Sequence, residues 1–350
     1  SLQTPSIAFL RITLGLMVVF AVGCNSSGSD DGSEKKLKLA YVTNGVASFW
    51  VIGGEGAKAG GEEFNADVEV LMPPGGITDQ TAMVEDLVTK GIDGIAISPI
   101  DPDNQVDLLN TAAQRTILIT QDSDAPKSDR LCYVGMDNYI AGRMCGELVL
   151  EAIPQGGKVA IFVGRMDQDN ARRRRQGVID AVLGRDIDPT RFDDPGAKPS
   201  NEKYEILGTY TDKFNFEVAK AKAEDVLSAH PDVSAMVGLF AYNPPLILEA
   251  LEGAEKLGQV KVIGFDEQDE TLIGIQNGHI HGTVVQNPYE YGRQSMRLLA
   301  GLARGETLES LDVPDSKLIY IPATQVRQDN VDEFWSELKA TLAGDGSGQE

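Results

Sequence analysis

Asp122, Arg174 and Asp266 are charged residues placed where short apolar runs end, and around them in similar positions stand Phe49, Trp50, Ser123, Phe214, Phe240 and Gln286. Carboxylates accept hydrogen bonds from hydroxyls, a guanidinium donates to them, and aromatic faces pack against the C–H faces of a ring. The set therefore suits a neutral, polyhydroxylated ligand. Each residue also has an ordinary role open to it: Phe214 and Phe240 in a core, Arg174 on a solvated helix face, Asp266 in a turn or helix cap. Their joint placement favours a cleft. Phe49 and Trp50 are adjacent at the start of a helical segment, and successive helix residues face about 100° apart, so at least one of the two rings should face that cleft.

Catalysis finds less support. The histidines are His230, His279 and His281, and no cysteine or clustered carboxylate with ligand spacing accompanies the His279/His281 pair, so no metal is expected. There is no Walker loop and no nucleophile elbow. Gly53-Gly54-Glu55-Gly56 lies inside a helical segment, too late for a dinucleotide fingerprint, and reads as close helix packing. The expectation is a binding protein without a cofactor, and not an enzyme.

The elements that must place these residues alternate. Apolar runs at 37–42, 68–71, 94–97, 116–119, 158–163, 204–207, 235–239, 260–263 and 281–285 read as strands. Most are continuously apolar, as parallel strands covered on both faces require. Amphipathic stretches at 49–64, 79–90, 214–229 and 289–303 lie between them, so the chain reads as doubly wound α/β. The turn and strand at 91–99 have a counterpart at 230–238, which implies two similar lobes. In open α/β sheets ligands bind beyond the carboxyl ends of the strands, where the residues above stand.

With 350 residues and 42% hydrophobic content the chain exceeds what one core usually serves. A net charge of −22 argues against nucleic acid as a partner; the one basic cluster, Arg172–Arg175, is short. Residues 12–22 form an apolar run too short to span a bilayer but suited to a signal peptide, here taken as 1–23. Residues 24–34 read as a flexible tether and 344–350 as a disordered tail. Cys132 and Cys145 can form a disulfide or remain buried free thiols.

The small residues before Cys24 resemble the lipobox of bacterial lipoproteins, with Ala21 where that motif usually has Leu; plain secretion is the alternative. From 35 to 330 the chain resembles the type 1 periplasmic sugar-binding proteins of ABC transporters, close to the ribose-binding group. The resemblance rests on Phe49-Trp50, Ile119-Thr120-x-Asp122, Asn170-Ala171-x-x-Arg174-x-x-Gly177, Ala229-His230-Pro231-Asp232-Val233, Ile263-Gly264-Phe265-Asp266 and Val285-Gln286-x-Pro288. It implies two doubly wound parallel-sheet lobes, 35–137 with 287–317 and 138–286 with 318–343, joined by a three-crossover hinge near 137–138, 286–287 and 316–317. It also implies ligand contacts at Phe49, Trp50, Asp122, Arg174, Phe214, Asp266 and Gln286, with the other basic-cluster residues solvated. Ser123 and Phe240 depart from ribose binders, which have Arg and Asn there, and Ala47 replaces an Asn, so another pentose, a hexose or a polyol is open. The implied protein is a monomer in the periplasm or cell envelope, lipid-anchored through Cys24, delivering a sugar or polyol to an ABC permease. A sensor presenting its ligand to a chemoreceptor or kinase is the alternative.

Overall fold

A computed structural model describes residues 36–343 apart from Asp167. The signal segment, Cys24, the tether, Asp167 and the tail lie outside the described residues. The chain runs β1 (Leu37–Val42), α1 (Ser48–Glu63), β2 (Ala66–Leu71), α2 (Ile77–Lys90), β3 (Gly94–Ile97), α3 (Val106–Ala113), β4 (Ile117–Gln121) and β5 (Tyr133–Gly135). It continues through α4 (Asn138–Ala152), β6 (Gly157–Val163), α5 (Asp169–Val182), β7 (Tyr204–Thr211), α6 (Phe216–Ala229), β8 (Val233–Gly238), α7 (Asn243–Gly253), β9 (Lys261–Phe265), α8 (Asp269–Gln276) and β10 (Gly282–Val285). The last elements are α9 (Pro288–Ala303), β11 (Leu318–Tyr320), β12 (Thr324–Arg327) and α10 (Val331–Leu342).

Two six-stranded sheets result, ordered β11-β5-β4-β3-β1-β2 and β12-β10-β9-β8-β6-β7. All the described pairings between these strands are parallel except β10 with β12. The expected α/β fold of two doubly wound lobes is the observed one. β3, β5 and β10 are buried along their whole length, because helices cover both faces of each sheet. β3 and β8, the two copies of the sequence duplication, hold the same rank in their sheets. No helix of the described residues is long and apolar enough to cross a membrane.

The chain passes between the sheets three times. After β5 it enters α4, which packs on β9 and β10; after β10 it enters α9, which packs on β4, β1 and β3. Both passages end in a helix cap. Asp137 accepts from the N–H groups of Tyr139 and Ile140, and Asn287 accepts from that of Glu290 ahead of Pro288. The third passage differs from expectation. β11 pairs with β5, so residues 318–320 belong to the first sheet and the crossing falls at 321–323, beyond the expected 316–317. Leu318-Ile319-Tyr320 is apolar, but three residues are too few to mark a strand.

Each lobe is closed by a helix that arrives from the other: α9 against α1, and α4 against α5. Glycines allow the approach. A Cβ added at Gly56 would fall inside the Tyr289 carbonyl, and one at Gly292 inside the Gly53 carbonyl; Gly142 faces the Arg174 carbonyl and Gly177 the Tyr139 carbonyl in the same way. Cys132 and Cys145 are free, buried thiols in different core clusters. Burial raises both thiol pKa values, that of Cys132 to about 11.

Candidate functional site

Two aspartates mark corresponding strand ends. Asp122 follows β4 and Asp266 follows β9, both with left-handed backbone, φ 57° and 62°, a conformation short polar side chains tolerate. Each N–H continues the ladder to the next strand, Asp122 to the Val134 carbonyl at 3.0 Å and Asp266 to that of Val284 at 2.8 Å. Each carbonyl accepts a hydroxyl from that same strand, from Tyr133 at 2.9 Å and from Thr283 at 2.8 Å. The backbone is thus clamped and the carboxylates turn off the sheet edge. Ser98 Oγ donates to Asp122 Oδ2 at 3.0 Å, and Gln286 Nε2 to Asp266 Oδ1 at 2.9 Å. Burial pushes the Asp122 carboxyl up to about 6, against the pull of Ser98 and the positive charge of Arg174. It also raises Asp266, and it raises Glu267 well above the carboxylate range with help from the Asp266 charge.

Arg174 on α5 is 4% exposed. Its Nε donates to Asn138 Oδ1 at 2.8 Å and its Nη1 to the Leu239 carbonyl at 3.1 Å. Its guanidinium carbon lies 3.9 Å from the centroid of Phe265 and 5.6 Å from that of Phe240, so aromatic faces replace part of its hydration. The four-arginine cluster divides. Arg172 and Arg173 pair with Asp169, whereas Arg175 is fully buried, donating to Thr209 Oγ1 and to the carbonyls of Asp193 and Asp194. Solvated neighbours were expected on both sides of Arg174; Arg175 corrects this, because it ties α5 to the 193–194 loop.

Phe49 packs against the core clusters of both lobes, 4.8 Å from Trp50 edge to face and 6.4 Å from Tyr291. Trp50 lies in the core of the first lobe, and its indole N–H donates to Asn44 Oδ1 at 3.0 Å. Asn44 Nδ2 donates to Ser98 Oγ at 3.1 Å, and Ser98 reaches Asp122. Trp50 thus fixes a hydrogen-bonded chain that ends on the carboxylate. Trp50→Phe, which keeps a ring and removes the N–H, is expected to cost about 1 kcal/mol of stability in a denaturant titration, and to loosen Asp122 enough to lower ligand affinity several-fold. Unchanged affinity would detach the chain from the site.

Phe214 and Phe240 meet at 5.5 Å, edge to face. Gln286 accepts from the Tyr291 hydroxyl at 3.3 Å while donating to Asp266. Ser123 is half-buried next to Asp122, its N–H directed to the Gln121 carbonyl. Asp124 is taken up by Arg130 and Thr120. Gln80 is buried and donates to the carbonyls of Thr43 and Ser98, tying the loops after β1 and β3 together. Asn44, Gln80, Ser98, Asp212, Tyr242 and Tyr291 are not among the site residues expected from the sequence, and Asn138 is expected there only as a hinge residue. The sequence signal for Ser98 was its place just after β3. His281 faces Glu151 at 3.5 Å, away from these strand ends, and among the described residues no group of three His, Cys, Asp or Glu is placed to hold a metal.

Comparison with known proteins agrees with this geometry. A family model described as a periplasmic binding protein domain matches residues 39–307. The ribose import binding protein RbsB of Salmonella typhimurium is 25% identical over 305 residues, 86% of this chain and 96% of the relative. The D-ribose/D-allose-binding protein of Pseudomonas aeruginosa is 26% identical over 311 residues, covering 82% and 91%. Among solved structures GanP, a glucose-galactose binding protein from Geobacillus stearothermophilus, superposes with a TM-score of 0.72 at 26% identity, covering 85% of this chain and 99% of that one. A chain matched over most of its length by that model, with two doubly wound sheets whose strand ends carry Asp122 and Asp266, belongs to the periplasmic binding protein family.

Proposed function

We propose that this protein is an extracytoplasmic sugar-binding component of an ABC importer, capturing a monosaccharide or polyol between its lobes without chemical turnover. The observation that carries the reading is the pair Asp122 and Asp266, one from each sheet, with Arg174 between them in charge. Ser98 and Gln286 each engage one carboxylate oxygen, which favours hydroxyl donors from a ligand at the other. Phe49 from the first lobe and Phe214 and Phe240 from the second supply the apolar surface, with Trp50 behind Phe49 in the core, and the names of the relatives point to pentoses and hexoses. Ser123 and Phe240 offer fewer polar contacts than a ribose site, so a ligand other than ribose is favoured; a buried polar group left unpaired discriminates strongly between similar sugars. Under this reading the crossings at 137–138, 286–287 and 321–323 flex as the lobes close, and Cys24 carries a lipid that holds the protein at the membrane.

The test is a melt of residues 35–350 against pentoses, hexoses, polyols and inositols, followed by small-angle scattering with any responder. A ligand at 100 times its Kd stabilises the fold by about 2.7 kcal/mol, and closure lowers the radius of gyration. Silence across the panel, after removal of co-purified ligand, would reject the sugar reading; binding without compaction would reject hinge closure. Mass spectrometry of the mature N-terminus decides the anchor separately: a diacylated Cys24 supports it, and an unmodified terminus rejects it.

A further inference from the structure

The aromatic surface does not stop at Phe240. Tyr242 stacks beside Phe240 at 6.2 Å and 29°, and Phe216 stacks on Tyr242 at 4.8 Å and 25°. Phe214 lies across the first two, 5.5 Å from Phe240 at 83° and 6.3 Å from Tyr242 at 68°. The rings lead outward from Arg174 with rising exposure: Phe240 and Tyr242 are half-buried, Phe214 is 41% exposed and Phe216 57%. Two exposed phenylalanines continuous with a cleft form an apolar surface that folding alone does not require.

The shelf is also built. Phe214 holds left-handed backbone, φ 63°, directly after Lys213 at φ 55°, and a bulky residue there is strained. Buried Asp212 maintains it: Oδ1 accepts from the Phe214 N–H at 2.8 Å and from the Tyr242 hydroxyl at 2.6 Å, and Oδ2 accepts from Asn243 at 3.2 Å. Gly164 completes the seat, since an added Cβ there would penetrate the Phe214 ring. One carboxylate thus fixes a loop residue and a stacked tyrosine together, which turns Phe214 toward Phe240 at the cost of local strain.

We propose that this shelf is a second ring subsite, so that the protein takes a disaccharide, with one ring at Asp122, Asp266 and Arg174 against Phe214 and Phe240 and the other lying by its C–H face on Phe216 at the outer end of the shelf. The inference rests on the sugar-binding reading above. An outer ring on an exposed shelf keeps its hydroxyls in water and needs only apolar contact, which is what these side chains offer.

The experiment is calorimetric titration of the full soluble chain with D-xylose, D-glucose and D-galactose, and with xylobiose, cellobiose and lactose, extended to disaccharides carrying whichever monosaccharide responds at either end. The expected result is a disaccharide that binds at least tenfold tighter than its component sugar. Phe216→Ala should weaken that disaccharide about tenfold and leave the monosaccharide unchanged. Monosaccharide binding with every disaccharide excluded would overturn the second subsite and leave the sugar-binding reading standing. Equal loss for both ligands would place Phe216 in the one-ring site, and no loss for either would free the shelf for a protein partner; each overturns the inference. Failure of every sugar would overturn both readings together.

Discussion

Asp266→Asn is expected to lower affinity for the cleft ligand at least 100-fold while the ligand-free protein melts no lower than wild type. The two effects have opposite signs for one reason. Burial raises the Asp266 pKa, so the folded protein holds that proton more tightly than the unfolded chain, and stability falls as pH rises from the ordinary carboxylate range to the raised value. The amide removes that penalty and keeps a side chain suited to the left-handed backbone, φ 62°. A bound hydroxyl, by contrast, loses a charged acceptor, and hydrogen bonds to charged groups contribute about 1.5–3 kcal/mol each. Two such bonds account for the factor. Asp122→Asn should behave alike, since its carboxyl is pushed up to about 6 mainly by burial. Calorimetry for affinity and a ligand-free melt at neutral pH check both signs; wild-type affinity in the two variants would move the ligand away from the strand ends.

Gly177→Val should be the most damaging single substitution on the helix that carries Arg174. An added Cβ there meets the carbonyl of Tyr139 and lies 2.7 Å from the Arg143 nitrogen, both backbone atoms of α4 that no rotamer change can withdraw. The helices must separate, and the close seating of Gly146 against Ala181 and Val178 in the same seam is lost. A loss of at least about 3 kcal/mol is expected, at the upper end for overpacking. Gly253→Ala is the control, because nothing lies within 4 Å of its added Cβ at the end of α7; it should leave stability unchanged or raise it by up to about 1 kcal/mol. Denaturant titration of the two separates steric contact from the general cost of replacing glycine. Equal effects would show that the α4–α5 crossing is not set by that contact.

The nine strands expected from apolar runs are present as β1–β4 and β6–β10, because most of them lie inside their sheets and show their burial directly in composition, while the edge strands β2 and β7 are partly exposed and keep an apolar stretch. β5, β11 and β12 escaped notice. They are three or four residues long, and Thr324–Arg327, at a sheet edge, has Val326 as its one buried apolar residue. The same contrast holds at the site. Asp122 and Asp266 were legible because a charged residue directly after an apolar run has few other reasons to be there. Asp212 was not, since its three partners come from residues 214, 242 and 243, and only the folded chain brings β7 and β8 loops together. Trp50 was read beside Phe49 as a cleft residue by resemblance; the fold sends its indole inward to Asn44, a direction that helical spacing permits but does not specify.

The exchange of helices between lobes bears on how the chain is made. The first sheet needs β11 at Leu318–Tyr320 and the cover of α9 at Pro288–Ala303, while β1 begins at Leu37. No contiguous early segment is a complete lobe. As the chain leaves the ribosome, the first lobe cannot close until residue 320 has emerged, and the second lobe, from α4 to β10, has its whole parallel sheet once residue 285 is out, with the edge strand β12 and the covering helix α10 outstanding. Synthesis order and folding order are therefore inverted: the middle of the chain can consolidate first, and the amino-terminal strands wait in an unfinished sheet.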